Sequence, residues 1–288
     1  MPIHSTIYDL VLTSKEFQQL GSFIQDSVGI KMPPEKKAML EGRLRKRLRS
    51  LSMDSFSQYI DYLFSKEGFE EEIIHMIDVV TTNKTEFFRE SAHFDFLASH
   101  VLPRLVTGQG SGIGQQLVAW SAGCSTGEEA YSLAMLFEEF KSKFPGLNFS
   151  YRILATDVST RVLNIGSKAI YDEEKVEPIP MGLRKKYLLR SKDPLRQVIR
   201  IAPHIREHVK FRRLNFLEDD FGFREKLDII FCRNVIIYFE KELQDRILKK
   251  IVQYLKSGGY LFIGHSETLI DIDLPLKMEA PTIYRKDK

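Results

Sequence analysis

Leu117-Val-Ala-Trp-Ser-Ala-Gly-Cys-Ser-Thr-Gly-Glu-Glu-Ala-Tyr-Ser132 decides the fold. Leu117 to Trp120 is a short apolar run and reads as a buried strand. Ser121 to Gly127 is a turn of small residues. A helix follows, with Ser125 or Thr126 as the expected N-cap and Glu128 and Glu129 in the first turn. Strand, small-residue turn and helix is the unit with which an open parallel sheet makes a ligand crevice.

The turn has neither the GxGxxG spacing nor the Gly-Lys-Ser/Thr ending of a phosphate loop. Two carboxylates at the helix start repel a pyrophosphate and suit a ligand with a positive charge or free N–H groups. Further on, Arg152-Ile-Leu-Ala-Thr-Asp157 is a second strand ending in an acid, where such folds grip ribose hydroxyls. An adenosine-bearing cofactor without phosphates fits these constraints, and S-adenosylmethionine is one. An ordinary βαβ unit with a solvated helix start is the plainer alternative at this point.

The chain has 288 residues, 43% of them hydrophobic, enough for a sizeable core and two domains. A net charge of +3 does not by itself argue for nucleic acid. No apolar run reaches the length of a transmembrane helix. Met1 to Asp9 has no long apolar core, so no signal peptide is expected. Cys124 and Cys232, both at expected strand ends, make no disulfide framework and read as buried thiols in a reduced compartment.

Residues 1–106 read as a helical domain. Thr13-Ser-Lys-Glu16 is a capping box ahead of Phe17, Leu20, Phe23 and Ile24. Pro33 and Pro34 break the chain, and a helix from Glu35 sets Leu40, Leu44, Leu48 and Leu51 on one stripe. The rest of that helix carries Lys36, Lys37, Arg43, Arg45, Lys46, Arg47 and Arg49 against Glu35 and Glu41. It reads as a solvated face or as a docking face for an acidic partner, with Arg43, Lys46 and Arg47 pointing outward. Nucleic acid is disfavoured, because no aromatic residues interleave with the basic ones. Helices are expected over 55–64, 70–80 and 92–105. Thr81-Thr-Asn-Lys-Thr-Glu-Phe-Phe-Arg89 lies between the last two and, on local pattern alone, reads as an N-cap cluster.

Thr107-Gly-Gln-Gly-Ser-Gly-Ile-Gly114 is a Gly-rich linker and the expected domain boundary. Residues 115–288 then alternate strand and helix, with a small antiparallel β-subdomain inserted at about 171–213. Its strands are expected at 197–201 and 208–213. Leu227-Asp-Ile-Ile-Phe-Cys-Arg-Asn234 is an apolar strand with a polar tip, typical of a central parallel strand. A helix over 240–255 is expected to close at Ser257-Gly258-Gly259. Tyr260–Gly264 and Ala280–Tyr284 are the last strands, the latter at the sheet edge. Gly123, Asp157 and Asn234 thus fall on the carboxyl edge of one sheet, and Asn215 in Leu214-Asn-Phe216 can reach it.

Four motifs, in this order, carry a resemblance. Thr81 to Arg89, Trp120-Ser-Ala-Gly-Cys-Ser-Thr-Gly-Glu-Glu129, Ala155-Thr-Asp157 and Phe231-Cys-Arg-Asn-Val-Ile-Ile-Tyr-Phe239 resemble those of the chemotaxis receptor glutamate O-methyltransferases, the CheR family. The likeness covers nearly the whole chain. It implies an α/β fold: an S-adenosylmethionine-dependent methyltransferase (Rossmann-like) sheet with the inserted β-subdomain, preceded by the all-α domain. It implies S-adenosylmethionine contacts from Asn83, Thr85 and Arg89, and from Glu129, Asp157, Asn215, Phe216, Asn234 and Val235. It places Arg89 and Tyr238 beside the reacting methyl. It implies a cytoplasmic enzyme, recruited to membrane receptor arrays, that methylates glutamates on the signalling helices of chemotaxis receptors, with no metal, nucleic acid or membrane insertion.

That chemistry is physically consistent. Glutamate is ionised at neutral pH, with an unperturbed pKa of about 4.3, and needs no general base. Attack on a sulfonium cancels charge, so the protein has mainly to orient the carboxylate and strip its water. Arg89 is expected to hold one carboxylate oxygen. Tyr238, with an unperturbed pKa near 10, is expected to hydrogen-bond rather than act as a base. Some family members dock a receptor tail on the β-subdomain by adding a strand, using Gly-rich turns. The turn Arg190-Ser-Lys-Asp-Pro-Leu-Arg-Gln197 has no glycine, which argues against tail docking here. A non-catalytic S-adenosylmethionine sensor and a nucleic-acid methyltransferase are the rival functions. Arg89 and Tyr238 argue against the first, and the lack of an Asn/Asp-Pro-Pro-Tyr/Phe pocket argues against the second.

Overall fold

The computed structural model describes residues 10–107, 116–147, 150–193, 195–269 and 272–287. They divide between Thr82 and Asn83 into two compact units, with Tyr238–Glu240 counted in the first. Of the expected linker boundary, 108–114 lies outside the described residues.

The first unit holds α1 (Ser14–Val28), α2 (Lys37–Ser50), α3 (Phe56–Leu63) and α4 (Lys66–Val80). The capping box forms: the Thr13 hydroxyl accepts from the Glu16 N–H at 3.2 Å, and the Glu16 carboxylate accepts from the Thr13 N–H at 2.8 Å. α1 ends at Gly29, a left-handed C-cap at φ 75°, and after Pro33 one 3-10 turn leads into α2. Leu40, Leu44 and Leu48 are fully buried, whereas Leu51 caps the helix and is half-buried.

The basic face of α2 corrects the sequence expectation. The Arg43 guanidinium donates to the carbonyls of Val79, Val80 and Thr81 at 3.1, 2.9 and 3.0 Å. The carbonyls in the last turn of a helix lack intrahelical partners, so Arg43 caps α4. Arg47 forks onto Glu72, with Nε 2.7 Å from Oε1 and Nη2 2.5 Å from Oε2. Glu72 is buried and also accepts from the Tyr59 hydroxyl at 3.0 Å. Arg43 and Arg47 therefore serve the helical core. Of the expected docking trio, Lys46 is exposed and Arg43 and Arg47 are half-buried.

The second unit begins with α5 (Ser91–Phe96), a π turn at Leu97–Val101 and α6 (Leu102–Thr107). Then come β1 (Gln116–Ala122), α7 (Glu128–Lys143), β2 (Ser150–Asp157), α8 (Thr160–Lys168), β3 (Ile170–Asp172), α9 (Met181–Tyr187), β4 (Leu188–Arg190), β5 (Val198–Ile201), α10 (Pro203–Arg206) and β6 (Val209–Arg213). The chain ends with β7 (Leu227–Cys232), α11 (Lys241–Tyr254), β8 (Leu255–Ile263), β9 (Leu276–Ala280) and β10 (Ile283–Lys286).

The main sheet has the order β6-β2-β1-β7-β8-β10-β9. The first five strands run parallel, and β10 is antiparallel to both neighbours. Every residue of β7 is buried, as is all of β1 after Gln116, because both strands are central. This is the expected Rossmann-like arrangement, with the small antiparallel sheet β3-β5-β4 inserted.

Three expectations change. Residues 208–213 do not join the small sheet: β6 pairs with β2 along 153–157 as the parallel edge of the main one. Gly258 and Gly259 lie within β8 rather than capping α11, where the pairing with β7 slips between Leu227 and Ile229. Pro281 and Thr282 separate β9 from β10, so the last strand lies inside the sheet and β9 forms the edge.

Candidate functional site

The register aligns the strand tips. Ala122 of β1 pairs with Thr156 of β2, Ser121 with Phe231 of β7, and Cys232 with Ile263 of β8. Gly123, Asp157, Asn234 and Gly264 therefore share one carboxyl edge. The sheet order reverses at β1, which has β2 on one side and β7 on the other. Such a switch point opens a crevice for ligands.

The turns pack tightly there. Gly123 has φ 76°, and a Cβ on it would lie 2.2 Å from Val235 Cγ2, so only glycine fits. α7 starts at Glu128 after Gly127, which makes no side-chain cap. The expected Ser125 or Thr126 cap is thus corrected. The Thr126 hydroxyl donates instead to the Glu128 carboxylate, at 2.8 and 2.6 Å. Glu128 is buried and its carboxyl is pushed up by that burial. Of the two helix-start acids, Glu129 is the one that bonds to the ends of β1 and β7, through Ser121 and Arg233.

Asp157 and Glu129 are both oriented by the protein. Asp157 accepts from the Ser125 and Ser159 N–H groups at 2.9 and 3.0 Å. Glu129 accepts from the Ser121 hydroxyl at 2.6 Å and from Arg233 Nε at 2.8 Å. A carboxylate has about four lone-pair sites, so Glu129, with these two partners, retains acceptor capacity for hydroxyl or amine donors. The hydroxyl and amine donors of an adenosine-bearing, cationic cofactor fit this set of acceptors.

The Asn83–Arg89 segment is irregular, not the opening of a helix, and α5 has Glu90 before it without a side-chain cap. The Asn83 carbonyl accepts from the Ser125 hydroxyl at 3.1 Å, which ties the segment to the turn after β1. Thr85 is half-buried. Arg89 donates to the Lys84 carbonyl at 3.2 Å. Its neighbours Phe88 and Glu90 both sit in the left-handed region, at φ 54° and 57°. Non-glycine residues held so are a strain that clusters at functional sites.

Asn215 is half-buried in the turn after β6, with its side chain accepting from the Leu217 N–H at 3.1 Å. The Leu214 N–H donates to the Asp157 carbonyl at 3.0 Å and brings this turn to the same edge. Phe216 packs against Trp120, with ring centroids 6.3 Å apart. Asn83, Thr85, Arg89, Glu129, Asp157, Asn215, Phe216, Asn234 and Val235 all lie in the second unit. Tyr238 falls in the first, where its carbonyl accepts from the Lys31 N–H at 2.9 Å and Lys36 Nζ lies 5.7 Å from its ring centre.

Sequence reading missed the residues that bind these pieces together. Arg233 is buried and donates to Glu129, to the Arg89 carbonyl at 2.7 Å and to Glu90 at 3.3 Å. Its Nη1 is also 3.0 Å from His93 Nδ1. Arginine has no acceptor, so His93 is neutral with its proton on Nε2, which donates to the Thr282 hydroxyl at 2.8 Å. Burial, then the Arg233 charge, push His93 down to about 4. Burial works to raise the Glu90 carboxyl, but the Arg233 charge wins and holds it below the usual range. Glu90, His93 and His265 come close enough to hold a metal, with ligand atoms within 4.8 Å. The Arg233 cation already stands among the first two, and the His93 nitrogens are taken. The signal was present: a charge at the tip of a buried strand has to be paired.

Comparisons with known proteins agree with this layout. Residues 83–284 match the CheR methyltransferase SAM binding domain, and residues 15–81 match the CheR methyltransferase all-alpha domain. The chain is 38% identical over 276 residues to the chemotaxis protein methyltransferase of Borreliella burgdorferi, covering 96% of this chain and 95% of that one. It is 35% identical over 272 residues to chemotaxis protein methyltransferase 2 of Pseudomonas aeruginosa, covering 94% and 93%. Against the chemotaxis protein methyltransferase of Escherichia coli it is 34% identical over 279 residues, covering 97% and 93%. Among the described residues, no helix is long and apolar enough to cross a membrane.

Proposed function

The chain belongs to the CheR methyltransferase family, with S-adenosylmethionine as cofactor, and we propose that it methylates glutamate side chains of chemotaxis receptors, leaving 5-O-methyl esters. The observation that carries this reading is the convergence of the Asn83–Arg89 segment with the tips of β1, β2 and β7 through Ser125 and Arg233. S-adenosylmethionine, when bound, supplies a methyl group made electrophilic by its sulfonium.

In this reading Asp157 takes ribose hydroxyls and Glu129 takes donors of the cofactor's charged end. Asn83, Thr85, Asn215, Phe216, Asn234 and Val235 complete its cradle. Arg89 pairs with one oxygen of the substrate carboxylate and leaves the other free to attack. Tyr238 hydrogen-bonds beside the reacting groups. No side chain has to remove a proton, because the substrate carboxylate is already ionised. The partners are the signalling helices of chemotaxis receptors, and the protein works at membrane receptor arrays from the cytoplasmic side. Lys46, on the exposed side of α2, is the docking residue of the expected trio that remains free for an acidic receptor helix.

The test is incubation with methyl-labelled S-adenosylmethionine and receptor signalling domains, followed by mild base. Label released as volatile methanol supports glutamate esters. Base-stable label, or label on nucleic acid, overturns the reading. Cofactor binding with no transfer makes the protein a sensor of S-adenosylmethionine.

A further inference from the structure

Glu267 lies four residues beyond the end of β8, and its own N–H donates to the Gly264 carbonyl at 2.9 Å. That tight turn folds its side chain back under the sheet edge. Its carboxylate accepts four backbone N–H groups. Oε2 takes Gly264 at 2.6 Å and Asn234 at 2.9 Å, while Oε1 takes Val235 at 2.9 Å and Ile236 at 2.8 Å. Glu267 is buried, at 9% exposure.

Three successive amides pointing at one spot make a concavity for an anion. Here the protein fills it with its own carboxylate. The same stretch holds Asn234 at φ 57°, a conformation that a non-glycine residue keeps only when its surroundings impose it. The Asn234 side chain leaves in the opposite direction and donates to Glu90 at 3.2 Å. Val235 meets the Gly123 turn.

We propose that Glu267 is a positioning residue for the cofactor, setting the Asn234–Val235 turn at the binding edge through backbone bonds alone. This rests on the reading that Asn234 and Val235 meet S-adenosylmethionine. It touches neither reacting group, so it acts on binding in the ground and transition states alike. Its loss then raises the cofactor KM and dissociation constant and leaves turnover at saturation nearly unchanged.

The experiment uses the full chain and titrates S-adenosylhomocysteine by calorimetry, with methyl transfer measured alongside. In Glu267→Gln one acceptor oxygen is replaced by an amide NH2 that faces N–H donors. The expected result is affinity weaker by about tenfold or more, with saturated turnover within about threefold of wild type. Gly264→Ala is the second variant, because a Cβ there would lie 2.5 Å from Asn234 Nδ2 and displaces the same turn from the other side. It is expected to show the same split. Asp228→Asn is the stability control. Asp228 is buried at the start of β7, where it accepts from the Val118 N–H at 2.8 Å and pairs with Lys256.

If Glu267→Gln melts earlier, as Asp228→Asn does, yet binds S-adenosylhomocysteine like wild type, Glu267 only holds the fold and the proposal fails. A fall in turnover with unchanged affinity overturns it as well. If Glu267→Gln does not fold, Gly264→Ala decides by the same criteria. A wild-type chain that binds no S-adenosylhomocysteine refutes the cofactor placement itself, a separate outcome.

Discussion

Arg233 Nε stands 2.8 Å from Glu129 Oε2, with 2% and 11% of the two side chains exposed. The pair joins the tip of β7 to the first turn of α7. Through Nη1 it also fixes the carbonyl of Arg89.

Replacing Arg233 by alanine leaves Glu129 and Glu90 without their common cation. A loss of about 3–5 kcal/mol is expected, typical of removing one partner of a buried pair. Arg233→Lys keeps the charge but not the fork that serves Glu129 and the Arg89 carbonyl together, so it too weakens cofactor binding. Urea unfolding and calorimetry with S-adenosylhomocysteine check both, and near-wild-type values for the lysine variant would refute the fork.

Asp157→Ala is expected to weaken cofactor binding by about 1–3 kcal/mol through lost hydrogen bonds. Calorimetry at a temperature well below the melting transition separates this from the lost bonds to Ser125 and Ser159. Unchanged affinity would remove ribose from this strand tip.

Arg89→Ala is expected to lose turnover by about two to three orders of magnitude, the usual effect of removing a group that orients the transition state. Cofactor affinity is expected to change far less. Near-normal turnover at saturating substrate would reduce Arg89 to a support for the Lys84 carbonyl.

On α2 the two kinds of cation separate by experiment. Arg47→Ala strands the buried Glu72 and is expected to cost about 3–5 kcal/mol in stability. Lys46→Glu leaves stability nearly unchanged, slows receptor methylation and reduces its dependence on salt, because rim charges act mainly on encounter. The readouts are the unfolding midpoint and the methylation rate over about 50–200 mM salt, where exposed charges are progressively screened. A Lys46→Glu variant that methylates at the wild-type rate would move docking elsewhere.

His93 makes stability depend on pH. Its folded pKa, pushed down to about 4, lies below the unfolded value of about 6.5. The unfolded chain therefore binds the extra proton first as pH falls. The contribution is complete above about pH 6.5 and is lost on acidification towards pH 4, about 3 kcal/mol in all. Glu90, held below the usual carboxylate range, adds a loss of the same sign at the acid end. Unfolding midpoints across this range, compared with His93→Gln, check the window: the variant's curve is expected to be flatter.

The strand tips were legible because each apolar run ends in one small or polar residue, as at Gly123, Asp157 and Asn234. β9 was not, since Leu276–Ala280 is only partly buried along its length and shows no clear alternation. Residues 209–213 looked like part of a small sheet because Lys210, Arg212 and Arg213 mark an edge, and the main sheet also has one. Arg43 and Arg47 looked solvated because their partners, the end of α4 and Glu72, lie a whole helix or more away in sequence. The roles of Arg233 and Glu267 escaped for the same reason: a local pattern shows that a charge needs a partner, but not which one.

The paired left-handed residues on either side of Arg89 are strained positions that cannot simply be relaxed. Glycine at position 88 or 90 would relieve backbone strain of order 1–3 kcal/mol. It would also take the Phe88 ring off Phe94, or the Glu90 carboxylate away from Arg233 and Asn234. The side chains that hold the segment in place are thus the ones that pay for its shape, and a redesign for robustness has to keep both.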